Sequence, residues 1–122
     1  MENTIKDQLK NMVALNAAIA EADEEILIIQ KEMAYHGYNQ KYLAALNELK
    51  QKVIYYRYQK VKVCTKLYDK IETMEDEQTK RLLKYRYIRG YTWEVIADKM
   101  GYSVRQVFNI HSKAIYILEN NK

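Results

Sequence analysis

"GYTWEVIADKMGYSVRQVFNIHSKA", Gly90–Ala114, holds two of the chain's three glycines, eleven positions apart. The chain has no proline, so glycine is nearly the only residue left that stops a helix. Thr92 follows the first glycine by two positions, and Ser103 follows the second by two. Both carry a hydroxyl that can accept from an amide in the first turn of a helix. The stretch therefore reads as glycine, cap, a short helix over about 93–100, glycine, cap, and a longer helix to about 118. Ahead of it, after the polar break "EDEQ", the segment "TKRLLKYRYIRG" reads as a single helix ending at Gly90.

Three residues set the spacing inside this region. Ala97 is small where two helices would cross closely. Gly101, four residues on, permits the positive φ of a tight turn. Val107, six further, opens an apolar stripe with Ile110, Ala114 and Leu118, faced by Ile96 and Met100. A small residue, a glycine and a β-branched residue at these offsets form the steric skeleton of a helix-turn-helix.

The residues "RYIRGYTWEVIADKMGYSVRQVFNIHSKAI" resemble the DNA-binding fourth region of bacterial sigma factors. They are more similar still to small phage and prophage late-gene regulators of the ArpU and RinA types. The likeness covers about residues 78–118 and is carried by Gly90, Thr92, Ile96, Ala97, Gly101, Ser103, Val107 and Ala114. It implies that the helix opened by Ser103 enters the major groove, with Thr92 near the backbone. The family commonly has Glu just before the Ile-Ala pair, where this chain has Val95. Its flank position Phe108 is often polar in the family. The sigma region that melts promoters has no counterpart here.

With Val107 at the centre of the buried stripe and about 100° per residue, Arg105, Asn109, Ser112 and Tyr116 point away from the core. Gln106 and Lys113 fall on one flank and Phe108 on the other. Arg105, Gln106, Phe108 and Asn109 are the expected base contacts. Arg105 suits guanine O6 and N7, Gln106 or Asn109 suits adenine N6 and N7, and Phe108 suits a thymine methyl. Thr92, Trp93, Ser103 and Lys113 are the expected backbone contacts, partly through amides at helix N-termini.

The remainder of the chain reads as two long helices. Ile5, Met12, Ile19, Ile26 and Met33 recur every seven residues, with Leu15, Ala22 and Ile29 three positions on. That heptad seam predicts one helix over about 5–35. Thr4 with Asp7 resembles a capping box, Gly37 suits the helix end, and Asn39 suits the next cap. A second seam uses Leu46, Val53, Leu67 and Met74 with Leu49, Tyr56 and Val63, interrupted at Lys60 and Lys70. It predicts a helix over about 40–75, turned back antiparallel by the short link. The expected fold is all-α: a long coiled-coil-like helical hairpin over 1–75 that oligomerises, then a sigma-region-four-like helix-turn-helix domain over 76–122. The block "EILII" (Glu25–Ile29) places apolar groups on more sides than one partner helix covers, so a second copy or the C-terminal region is expected to pack there.

Charge divides the chain unevenly. Residues 1–37 carry three Lys against seven Asp or Glu; residues 38–75 carry eight basic against four acidic side chains, and residues 76–122 nine against five. The last two-thirds thus suit a polyanion and the first third does not. No apolar run approaches a membrane span and no signal-peptide layout opens the chain, so no membrane partner is expected. The single Cys64 forms no internal disulfide, consistent with a cytoplasmic location in a bacterial host. His36, His111 and Cys64 lack metal-ligand spacing, and His111 reads as a hydrogen-bonded core residue. There is no phosphate-binding glycine loop and no nucleophile elbow. Neither an enzyme nor a cofactor is expected. "VIYYRYQKVK" (Val53–Lys62) interleaves tyrosines with cations as single-strand binders do, but Tyr56 lies in the seam and packing between helices is the preferred reading.

The expected function is sequence-specific regulation of phage or prophage late genes by a homodimer on double-stranded DNA, with RNA polymerase as a further partner. Half-sites one or more helical turns apart would follow. Two alternatives share the same helices: a small terminase-like subunit that recognises DNA and assembles as a ring, and an adapter that docks on RNA polymerase without reading bases.

Overall fold

The computed structural model describes residues 4–120. All its elements are helical, and no strand occurs among the described residues. Helix α1 is Ile5–His36 and α2 is Gln40–Glu72. α3 is Glu77–Leu83 and passes into a π-helical turn, Lys84–Ile88. α4 is Trp93–Met100 and α5 is Val104–Asn120. No helix among the described residues is long and apolar enough to cross a membrane.

Local chemistry accounts for most of the ends. At the start of α1, Thr4 and Asp7 cap each other reciprocally: Asp7 N donates to Thr4 Oγ1 at 3.1 Å and Thr4 N to Asp7 Oδ2 at 3.4 Å. Gly37, at φ +85°, closes α1 through its amide on Met33 O at 2.8 Å. Asn39 Oδ1 then accepts from Lys41 N at 2.7 Å and opens α2.

The chain divides into two compact units. One is Ala14–Val61. The other takes in the described residues up to Val13 together with those from Lys62 onward. The expected 75/76 boundary lies inside this second unit.

In Ala14–Val61 the heptad seam is the buried face. Ile19, Ala22 and Leu46 are buried, and Leu15, Ile26, Ile29, Leu49, Val53 and Tyr56 are half-buried. Beside the seam Asp23 Oδ2 of α1 meets Arg57 Nη2 of α2 at 3.5 Å. Leu27, Ile28, Ile54, Tyr55 and Tyr58 are exposed. The tyrosine-rich block thus splits, with Tyr56 turned inward and its neighbours outward.

In the other unit, Leu9 and Met12 of α1 and Leu67 and Ile71 of α2 join one core with Leu82, Leu83, Ile96, Val107, Ala114 and Leu118. Leu9 and Ile71 stand outside the predicted seams. They are buried because this core surrounds more of each helix than a single partner does. The junction after α2 is held electrostatically. Glu72 pairs with Lys84 and lies 3.8 Å from Lys80. The hydrogen bond from Lys84 holds the Glu72 carboxyl below its ordinary range, and the same bond raises the Lys84 ammonium.

One expected element differs. The segment "TKRLLKYRYIRG" is not a uniform α-helix. It begins earlier, at Glu77, because Asp76 accepts from Gln78 N at 3.3 Å as the cap. It then widens at Lys84, with Arg89 N donating to Lys84 O at 2.9 Å across five residues. The wider turn accompanies the inward placement of Tyr87 against the core. Gly90, at φ +76°, ends the segment, and Tyr91 N reaches back to Tyr85 O at 3.0 Å.

Candidate functional site

The site is built around the turn between α4 and α5. Thr92 caps α4, its hydroxyl accepting from Val95 N at 3.3 Å. At the other end Gly101 sits at φ +72° and ψ +33°. Tyr102 N donates to Ala97 O at 2.9 Å and Gly101 N to Asp98 O at 3.3 Å. These two bonds are the Schellman pattern, which satisfies the last carbonyls of α4 while turning the chain sharply. Ser103 caps α5 within two residues of that turn.

The cap on α5 is reciprocal. Gln106 N donates to Ser103 Oγ at 3.1 Å, and Ser103 N donates to Gln106 Oε1 at 2.8 Å. The amide oxygen of Gln106 is therefore engaged by the helix start, and its amide nitrogen is the group left for an outside acceptor. That changes how Gln106 can read a base: a bidentate adenine contact needs both atoms.

α5 is sharply two-sided. Val107 and Ala114 are fully buried and Leu118 nearly so, while Ile110 and Ile117 are half-buried. Arg105, Asn109, Ser112 and Tyr116 form an exposed stripe on the other side, at helical spacing. Gln106, Phe108 and Lys113 flank it and are also exposed. All four expected base contacts thus lie on the open side of one helix, with Lys113 beside them. Thr92 and Ser103 are exposed at the starts of α4 and α5.

Trp93 is placed differently. Its ring is half-buried at the centre of an aromatic cluster rather than open to solvent. Phe108 stands 5.1 Å away at 74°, His111 4.8 Å away at 76°, and the Arg86 guanidinium carbon 4.2 Å above the ring. The backbone amide of Trp93 still opens α4. Its side chain instead ties α4, α5 and the π-helical turn together.

Arg86 has no part in the sequence-based site. It reaches the site from the π-helical turn, with Nη1 donating to Tyr91 O at 3.1 Å and Nε buried without a partner. No local signal marks it, since every contact it makes depends on the fold. His111 is the hydrogen-bonded histidine expected from its helix position. Its Nε2 lies 2.6 Å from Tyr87 Oη. Burial first, and the nearby Arg86 charge second, hold the His111 imidazole below its ordinary pKa. Burial also raises the Tyr87 hydroxyl. The neutral imidazole is the form that this environment favours.

The chain matches no family model, no curated protein and no solved structure.

Proposed function

We propose that the chain is a sequence-specific, double-stranded-DNA-binding transcriptional regulator of the phage or prophage type. In this reading α4 and α5 are the helix-turn-helix, α5 reads the major groove, and the long helices bring copies together. The observation that carries it is the two-sidedness of α5. Its apolar side is spent on the core, and its first two turns offer Arg105, Asn109 and Phe108 outward. A helix of the major-groove type needs that division, because its N-terminal residues must reach base edges while its back is braced. The brace is supplied by α4 through Ile96 and Ala97, both buried.

Arg105 then takes guanine and Asn109 adenine, with Gln106 donating one hydrogen bond. Lys113 and the amides at the starts of α4 and α5 approach phosphates. RNA polymerase is the second partner, reached while the regulator sits on its site.

Selection of bound sequences from random duplexes, titrated at two salt concentrations, tests the reading. A recovered motif is expected, with Arg105→Ala costing about 1–3 kcal/mol at one position and Lys113→Ala weakening all sequences alike. A salt slope without a motif leaves only non-specific attraction and ends the proposal. Polymerase binding that is unchanged by Arg105→Ala, with no duplex preference, supports the adapter instead. Transcription from a promoter carrying the recovered site separates a regulator, which changes transcript yield, from a terminase-like subunit, which does not.

A further inference from the structure

The π-helical turn rearranges a basic face. In an unbroken α-helix Ile88 would follow Lys84 by one turn, and Arg89 would fall about 100° further round. The bond from Arg89 N to Lys84 O at 2.9 Å spans five residues and brings Arg89 over Lys84 instead. Ile88 packs against the core. Glu77, Lys80, Arg81, Lys84, Tyr85 and Arg89 together line a surface pocket of about 230 Å³.

The cations in this pocket differ in what they hold. Lys80 lies 3.3 Å from Glu77 and 3.8 Å from Glu72, and Lys84 also pairs with Glu72. The two carboxylates thus fix the two lysines and offset their charge. Arg81 and Arg89 are exposed, and among the described residues neither side chain has a hydrogen bond or an ion pair. Two positive charges are left in excess, both on guanidinium groups. They stand eight residues apart, on the order of 12 Å along the segment. Past Tyr85 the basic surface continues onto α4. The Tyr85 and Tyr91 rings are 5.6 Å apart, and Lys99 Nζ stands 5.2 Å from the Tyr91 ring.

A small anion meets one of the two free guanidiniums at a time, whereas a chain of phosphates meets both. The planar fork of Arg also matches a pair of phosphate oxygens. Arg89 comes three residues before Thr92, the cap of α4, and the first helix of a helix-turn-helix crosses the DNA backbone. We infer that this pocket is a second phosphate site, in which Arg81 and Arg89 grip the backbone of duplex DNA outside the bases that α5 reads. The π-helical turn makes the site by moving Arg89 onto the face that holds Arg81. The inference rests on the duplex-binding part of the function proposed above, and not on base readout by Arg105 or Asn109.

Arg81→Gln with Arg89→Gln, made in the full-length chain, tests it. Circular dichroism with thermal unfolding checks that the pair keeps the wild-type helix content; should it not, the two single changes take its place. Lys10→Gln with Lys31→Gln is the control, since it removes the same charge from exposed positions on the acidic α1. Binding to a random-sequence duplex and to any motif recovered by selection is titrated over a range of salt. The arginine pair is expected to weaken all duplexes alike and to lower the slope of log affinity against log salt by about two, or about one for each single change. It leaves the selected motif as it is, and the lysine control keeps the wild-type slope.

An unchanged slope in the arginine pair overturns the inference. So does an equal loss in the lysine control, which assigns the effect to net charge. Unchanged duplex binding with weakened binding to RNA polymerase overturns it too, and makes this face a dock for an acidic protein surface. The two readings fail separately. A recovered motif with an unchanged slope removes the pocket site and leaves base readout standing. A lowered slope without a motif does the reverse, and a chain that binds no duplex removes both.

Discussion

Phe108 stands edge-on to Trp93, with ring centroids 5.1 Å apart and planes at 74°. This contact joins the outward flank of α5 to the first residue of α4. It holds Phe108 in place although the residue is 45% exposed. The geometry is the one in which the positive edge of one ring meets the negative face of another. Trp93→Ala is expected to cost about 2–3 kcal/mol, because it also removes the contacts to Arg86 and His111. Phe108→Ala should cost no more than about 1 kcal/mol. Urea unfolding of the two single variants and the double variant should give a coupling of about 0.5–1.5 kcal/mol. Strict additivity would show that the ring contact carries no energy of its own.

The Tyr87–His111 contact makes stability depend on pH. Because the folded His111 pKa is held below its ordinary 6.5, the unfolded chain takes up a proton before the folded one does. Its contribution is therefore fully present above about pH 6.5 and declines as pH falls below that value toward the folded pKa. Melting curves from neutral to mildly acidic pH should show the loss, and His111→Gln should flatten that part of the profile. An unchanged slope in the variant would assign the effect to other groups.

Gly101 holds the turn at φ +72°, and a Cβ added there would meet no other atom within 4 Å. Gly101→Ala should thus cost only the left-handed backbone penalty, about 1–2 kcal/mol. Gly101→Asn should cost less, since Asn visits that region more readily. Thermal unfolding of the two variants ranks them. If Ala proves the milder change, the turn does not hold its left-handed geometry in solution.

Ile71 and Ile54 lie on the same helix and differ only in what surrounds them. Ile71 is fully buried and Ile54 is 60% exposed. Ile71→Ala should cost about 2–5 kcal/mol, and Ile54→Ala should stay within about 0.5 kcal/mol in the dissociated chain. Denaturant titration at low protein concentration measures both. Equal costs would contradict the placement of Ile71 in the core around α3 and α5.

The reciprocal cap on α5 yields a smaller effect. Ser103→Ala removes the acceptor for Gln106 N and should cost about 1 kcal/mol. Gln106→Ala removes the return bond and should cost no more than that, since the hydroxyl continues to accept. Chemical denaturation separates the two, and a larger loss from Gln106 would make its side chain the dominant cap.

Much of the chain was legible residue by residue. Thr4, Asn39, Thr92 and Ser103 sit at helix starts, and Gly37, Gly90 and Gly101 all take positive φ where helices end. The first heptad seam is the inward face of α1 as read. Less legible were Asp76 as the cap of α3, the π-helical turn, and the burial of Leu9 and Ile71. Of the site residues, Arg105, Asn109 and Lys113 lie exposed where helical geometry puts them. Gln106 and Trp93 carry bonds and packing that their positions along α5 and α4 do not announce.

Sequence was enough wherever the physics is short-ranged. A hydroxyl three residues from an amide, a glycine free of a Cβ and a seven-residue spacing of apolar groups act within a turn or two, so helix starts, stops and inward stripes follow from them. Folding alone settled what required residues far apart to meet. Arg86 lies over Trp93, Tyr87 bonds to His111, and Leu9 and Ile71 enter a core with Leu82 and Val107. Such pairings depend on how helices cross, and no local spacing encodes a crossing.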